Sequence, residues 1–213
     1  MLVLASASPR RAELLRNAEI KFRVHVAEIP EARRAGESPR RFAMRLASEK
    51  AAKVAALEPD HALVLAADTI VVVGTRVLGK PRDTGEAKRM LRLLAGRQHQ
   101  VITGVCLRGI DSEGQSFADT RLESTEVRVE SLTDQEIEDY VASGEPLDKA
   151  GAYAIQGRAS RWISGIRGDY PNVVGLPVAL VYRMLREHGC LAQAQWSVAS
   201  ASSKRRLRSV PHR

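Results

Sequence analysis

The chain reads as one α/β domain built of two lobes, over residues 1–191, with a basic tail at 192–213. Three observations carry that reading. Apolar runs of strand length alternate with amphipathic stretches of helical period, the pattern of helices laid on a sheet. The helical stretches open on cap signals: Ser8-Pro9, Ser38-Pro39, Asp83 with Glu86, and Thr133 with Glu136. Neither an internal repeat nor a polar linker interrupts residues 1–191, and 44% hydrophobic with 27% charged residues is ordinary for a globular domain.

Leu2 to Ala5 is a short apolar run that gives way to a serine-rich loop, and the helix opening at Pro9 carries Leu14, Leu15 and Ala18 on one face. From Pro39 a longer helix repeats Phe42, Leu46, Lys50, Val54 and Leu57 until Pro59 stops it, so Lys50 falls near an otherwise apolar face. His61 to Ala67 predicts a buried strand ending at Asp68-Thr69. Ile70 to Val73 continues extended, Gly74-Thr75 turns, and Val77-Leu78 returns toward Gly79-Lys80-Pro81. A helix follows from Asp83 to Gly96. Val101–Arg108 and Thr125–Glu130 read as strands, joined through a turn at 111–114 and an extended stretch around Phe117. Thr133 caps a helix that stops at Gly144, and Val178 to His188 is another. The Gly-rich connection from Glu145 to Asn172 is long for a structureless loop, which marks it as functional or as containing short strands.

The formal net charge of +8 invites a nucleic-acid reading, so its location matters. Lys204, Arg205, Arg206, Arg208 and Arg213 lie in a 22-residue tail without acids, which leaves residues 1–191 at only +3. The tail, rich in Ala and Ser, reads as a disordered extension rather than a nucleic-acid arm. The longest apolar stretch, Val173 to Tyr182, is too short to span a bilayer. The first residues place apolar side chains ahead of arginines, unlike a secretory leader. Two cysteines, Cys106 and Cys190, provide neither a disulfide framework nor a zinc spacing, and a reducing, cytoplasmic setting is expected.

Three segments combine a chain reversal with polar side chains. At the first, the amides opening the Pro9 helix, the hydroxyls of Ser6 and Ser8, and the guanidiniums of Arg10 and Arg11 can converge on an anion. Equally, Ser8 merely caps the helix and the arginines are solvated. At the second, Asp68 stands where a strand emerges, a place for a metal ligand or proton acceptor, or for a plain turn. Lys80 lies across the inferred hairpin, aimed at the same place or serving as an edge-strand charge. At the third, 145–157 and 168–177, glycines permit close approach of a ligand while Asp148, Lys149 and Gln156 offer directional groups; a structural loop is the alternative. Gln156 presents a donor and an acceptor together, as reading a base edge requires. Walker A, HExxH and GxSxG patterns are absent, and His25, His61, His99, His188 and His212 are scattered singly. Cations, carboxylates and one amide remain, a set suited to metal-assisted attack of water on a nucleotide phosphate.

Assembled in order, LASASPRR at 4–11, SEKA at 48–51, AADTIV at 66–71, GKPRD at 79–83, EPLDKAGAYAIQG at 145–157 and GDYPNVVGLPV at 168–178 resemble the Maf family of nucleoside triphosphate pyrophosphatases. The resemblance spans nearly all of the chain to about residue 190. It implies an elongated, two-lobed α/β fold with a twisted mixed sheet and flanking helices, similar to inosine triphosphate pyrophosphatases and commonly a homodimer. It also implies hydrolysis between the α and β phosphates with a divalent metal cation such as Mg or Mn. By position, Asp68 resembles the proton acceptor and a metal ligand, with Glu31 a second metal-site carboxylate. Ser6, Arg10, Arg11, Lys50 and Lys80 resemble the phosphate-binding set, and Arg10, Thr69 and Gln156 the positions that select the base.

AYAIQG and YPNVVGLP resemble the branch that acts on dTTP and UTP; the branch acting on 7-methyl-GTP has a Glu where Gln156 stands. Clustered cations lower the cost of holding a triphosphate and favour an ionised Asp68. The expected partner is therefore a nucleoside triphosphate, with neither membrane nor nucleic acid. Hydrolysis of 7-methyl-GTP, or a nucleic-acid-binding or division-regulating role resting on the basic tail, are the alternatives.

Overall fold

The computed structural model describes residues 1–194, apart from the side chain of Gln193. Seven strands form one mixed sheet: β1 (Leu2–Leu4), β2 (Phe22–Val24), β3 (Leu63–Val73), β4 (Arg76–Leu78), β5 (Gln98–Ile110), β6 (Ser116–Val129) and β7 (Ile163–Arg167). Their order is β2-β1-β3-β5-β6-β7, with β4 paired to β3. β1 runs parallel to β2 and to β3, and the other pairings are antiparallel. The helices are α1 (Pro9–Asn17), α2 (Pro39–Ala55), α3 (Thr84–Leu94), α4 (Asp134–Ala142), α5 (Tyr170–Val174), α6 (Val178–Glu187) and α7 (Leu191–Ala194).

β3 organises the molecule. Its residues alternate between the two faces of the sheet, and nearly all are buried, so both faces are apolar. Val64, Ala66, Ile70 and Val72 meet α2 through Ala43, Leu46, Ala47, Ala51 and Val54. On the opposite face, Leu63, Leu65 and Ala67 pack with α1 and α6, while Val71 and Val73 pack with α3 and α4. Two polar residues interrupt these runs, Asp68 on the α2 face and Thr69 on the other. They divide the molecule into a lobe around β1 and a lobe around β4.

Cap chemistry sets most helix starts. Ser8 accepts from the Arg11 amide with Pro9 in the first turn, Ser38 accepts from Arg41, and Thr133 with Glu136 completes a reciprocal capping box. At α3 the box is one-sided: Asp83 accepts from the Glu86 amide, but the Glu86 carboxylate turns to the backbone and guanidinium of Arg82.

The connection 145–172 is ordered into three 3-10 turns at Glu145–Asp148, Ala150–Ala152 and Arg158–Trp162, followed by β7 and the start of α5. α7 carries the domain past the expected boundary at residue 191, because Ala194 is buried and its carbonyl accepts from the Lys21 amide at 2.8 Å. The rest of the expected tail lies outside the described residues. Both Cys106 and Cys190 are free and buried, and no described helix is long and apolar enough to cross a membrane.

Candidate active site

The strand expected to end at Asp68 does not end there. β5 pairs with β3 without a break from Val64 to Val72, so Asp68 sits mid-strand opposite Gly104. The interruption is on the other edge, where β1 pairs with Leu63–Leu65 and β4 with Val71–Val73. Between them, residues 66–70 have no neighbouring strand, and that gap is the floor of a cleft of about 1170 Å³. All the residues picked out from the sequence, Ser6, Arg10, Arg11, Glu31, Lys50, Asp68, Thr69, Lys80 and Gln156, line this one cleft.

Lys50 leaves α2 at the margin of its apolar stripe and places its ammonium 2.6 Å from Asp68 Oδ1 and 2.6 Å from Glu31 Oε1. Glu31 belongs to the loop between β2 and α2, which Arg45 fastens to α2 through Glu37 and the Ala32 carbonyl. Burial pushes the Asp68 carboxyl above the ordinary aspartate range, against the pull of Lys50 and Arg11. Neighbouring cations alone were expected to favour its ionised form; desolvation outweighs them because the side chain is buried beneath α2.

Arg11 reaches inward to four protein oxygens. Its Nε donates to the Gly175 carbonyl at 2.7 Å, Nη1 to Ala67 O at 2.8 Å and Ser6 Oγ at 3.0 Å, and Nη2 to Thr69 Oγ1 at 3.0 Å. Thr69 Oγ1 also shares a hydrogen bond with Thr103 at 2.9 Å and donates to Gly175 O at 3.3 Å, which commits its hydroxyl to the protein. Gly175 is held by α5, whose Asn172 is fully buried and donates to Val101 O and Thr125 Oγ1.

The remaining polar groups face the opening. Arg10 lies 3.9 Å from Asp148, which pairs closely with Lys149. Lys80 and Gln156 are exposed and make no hydrogen bond to a described residue. Their loops are fixed from behind: the Gly151 amide donates to Gly79 O, and Glu145 accepts from Tyr140 Oη and the Arg158 amide. A Cβ at Gly157 would overlap the Glu145 carboxylate, which would then have to leave its present place. Sequence reasoning missed Arg33 and Arg76 at the rim, which carry no motif signal, and assigned no role to the apolar wall of Val71, Val101, Val173 and Tyr153. Behind that wall Tyr153 Oη meets Nε2 of the buried His99 at 2.8 Å.

A divalent cation suits the donor set. Glu31 and Asp68 offer carboxylate oxygens drawn together around one ammonium, and Mg or Mn commonly takes one or two carboxylates plus substrate phosphates. No cluster of three or more His, Cys, Asp or Glu side chains occurs among the described residues, so water and phosphate oxygens would complete the shell.

The family model described as Maf-like protein matches residues 1–188. A protein of Koribacter versatilis named dTTP/UTP pyrophosphatase is 55% identical over 190 residues, covering 89% of this chain and 95% of that one. A Bacillus cereus protein of the same name is 48% identical over 186 residues, covering 87% and 94%. Among solved structures, a nucleoside-triphosphatase / dITP/XTP pyrophosphatase of Mycobacterium abscessus overlaps 90% of this chain and 96% of its own. The two superpose with a TM-score of 0.38 at 15% identity.

Proposed function

The chain belongs to the Maf-like protein family, and on that premise we propose that it is a nucleoside triphosphate pyrophosphatase converting dTTP and UTP to the monophosphate and pyrophosphate. The names of its relatives support the substrate class. One observation carries the mechanism: a buried carboxylate, Asp68, lies on the floor of a cation-rimmed cleft with one oxygen held by Lys50.

Asp68 is the proton acceptor. The fixed ammonium orients its carboxyl, and no described residue hydrogen-bonds to Oδ2, which is left to receive a proton from water. Burial that raises its pKa makes it a stronger base than an exposed aspartate. Water oxygen attacks the α phosphorus, its proton passes to Asp68, and the bond to the bridging oxygen breaks to release pyrophosphate. Arg10 and Lys80 neutralise the triphosphate, with Lys50 beneath it. Glu31 and Asp68 are the residues that would hold a divalent cation, which would supply further charge neutralisation at the phosphates. Gln156 matches the imide edge of uracil or thymine with its paired donor and acceptor, against the apolar wall around Tyr153. Asp68→Asn tests the assignment: kcat for UTP is expected to fall at least about 100-fold with nucleotide binding retained. Wild-type turnover in that variant would remove Asp68 from the mechanism.

A further inference from the structure

We infer that Arg11 is a positioning residue that sets Asp68, and not a ligand of the triphosphate. A guanidinium has five N–H donors. Four protein oxygens at 2.7–3.0 Å take donors from all three nitrogens of Arg11, leaving a single N–H for any phosphate. The guanidinium of Arg10, the preceding residue, makes no hydrogen bond to a described residue and lies 3.9 Å from the Asp148 carboxylate. Both line the cleft, but the two adjacent arginines divide the work: Arg10 leaves its guanidinium open to it, and Arg11 turns most of its donors to protein oxygens.

What Arg11 does in the sheet follows from the gap in β3. On that edge the backbone of residues 66–70 has no neighbouring strand, and a carbonyl left unpaired there weakens the sheet where it is thinnest. Arg11 takes the place of the missing strand. Its Nη1 holds the carbonyl of Ala67 and its Nη2 the hydroxyl of Thr69, the two residues flanking Asp68. Gripped on both sides, the Asp68 backbone is held so that its side chain, on the α2 face, meets Lys50. The bond from Nε to Gly175 O and the bond to Ser6 tie that clamp to α5 and to the β1–α1 loop. A lysine in the same place keeps the charge but cannot span these acceptors in one plane.

The inference rests on Asp68 being the base. The test compares wild-type protein, Arg11→Lys, Arg11→Met and Asp68→Asn with UTP and Mg²⁺. It reads kcat and KM, and by calorimetry the affinity for α,β-methylene-UTP. In Arg11→Met, kcat is expected to fall at least about 100-fold while the analogue affinity stays within about threefold, and Arg11→Lys is expected to recover less than a tenth of the lost rate. Analogue binding weakened more than about tenfold in Arg11→Met and restored in Arg11→Lys would make Arg11 a phosphate ligand. Wild-type kcat in Arg11→Lys, or a lower melting temperature alone, would also overturn the inference. Should Arg11→Met fail to fold, Arg11→Lys decides alone: lower kcat at unchanged analogue affinity supports positioning, and lower affinity contradicts it. Full activity in Asp68→Asn would instead sink the reading of Asp68 as base, an outcome separable from the others.

Discussion

At the scale of single residues, two side chains give predictions outside the phosphate chemistry. His99 is buried and its pKa is pushed down to about 4, because desolvation disfavours the imidazolium. The unfolded chain takes up that proton near the ordinary histidine value of 6.5, so stability is unaffected above that pH and falls as the pH drops toward 4. The loss amounts to about 3 kcal/mol. Urea unfolding at pH 7.5 and 4.5 should therefore show a smaller acid loss in His99→Gln than in the wild type; an equal loss would contradict burial of a neutral His99. Gln156→Glu keeps an acceptor for the imide N–H but faces the base carbonyl with negative charge. It is expected to lower kcat/KM for UTP roughly 10- to 100-fold, and an unchanged value would place the base elsewhere. Asp68 and Thr69 were legible because two polar residues break an apolar strand. Arg11's inward role was not, because three of its partners, Ala67 O, Gly175 O and the Thr69 hydroxyl, come from distant segments and two of them are backbone atoms.

Among elements, the contact between α2 and the sheet fixes the site. α2 approaches β5 so closely at Gly104 that a Cβ there would overlap the Ala43 carbonyl and the Met44 amide, both backbone atoms that cannot swing away. Gly104→Ala must push the helix off the strand, and Lys50, two turns along α2, leaves Asp68 with it. An unfolding free energy lower by about 3 kcal/mol is expected, with a parallel loss of turnover; an unchanged denaturation midpoint would contradict the tight seating of α2. Periodicity and cap residues made α1 to α4 and α6 readable in the sequence. It did not show that β3 runs through Asp68, because the gap is created by where β1 stops and β4 begins, which is a matter of pairing between strands. For the same reason β6 was read as two pieces: its middle, Ala118 to Ser124, carries polar residues that look like a loop until β5 pairs with all of them. β2, β7 and α5 are too short for a periodic signal.

At the scale of the whole molecule, the two lobes meet along Asp68 and Thr69, and cations from both converge on one cleft although they are scattered through the sequence. Five units of the +8 net charge lie in the tail, and the cations of the cleft stand beside the carboxylates of Glu31, Asp68 and Asp148. A truncation belongs after Ala194, since that residue is still part of the core, and cutting there should leave turnover of UTP unchanged. Loss of turnover would join the tail to the catalytic unit. Salt-sensitive binding of nucleic acid that the truncation abolishes would assign the tail a separate activity. On the proposed function, this cleft splits pyrimidine triphosphates between the α and β phosphates. Incubating the full chain and Mg²⁺ or Mn²⁺ with a panel containing dTTP, UTP and 7-methyl-GTP, and identifying the products, shows which bond breaks. dTMP and UMP with pyrophosphate are expected as the dominant products. Diphosphates with inorganic phosphate, or preferential cleavage of 7-methyl-GTP, would contradict that function.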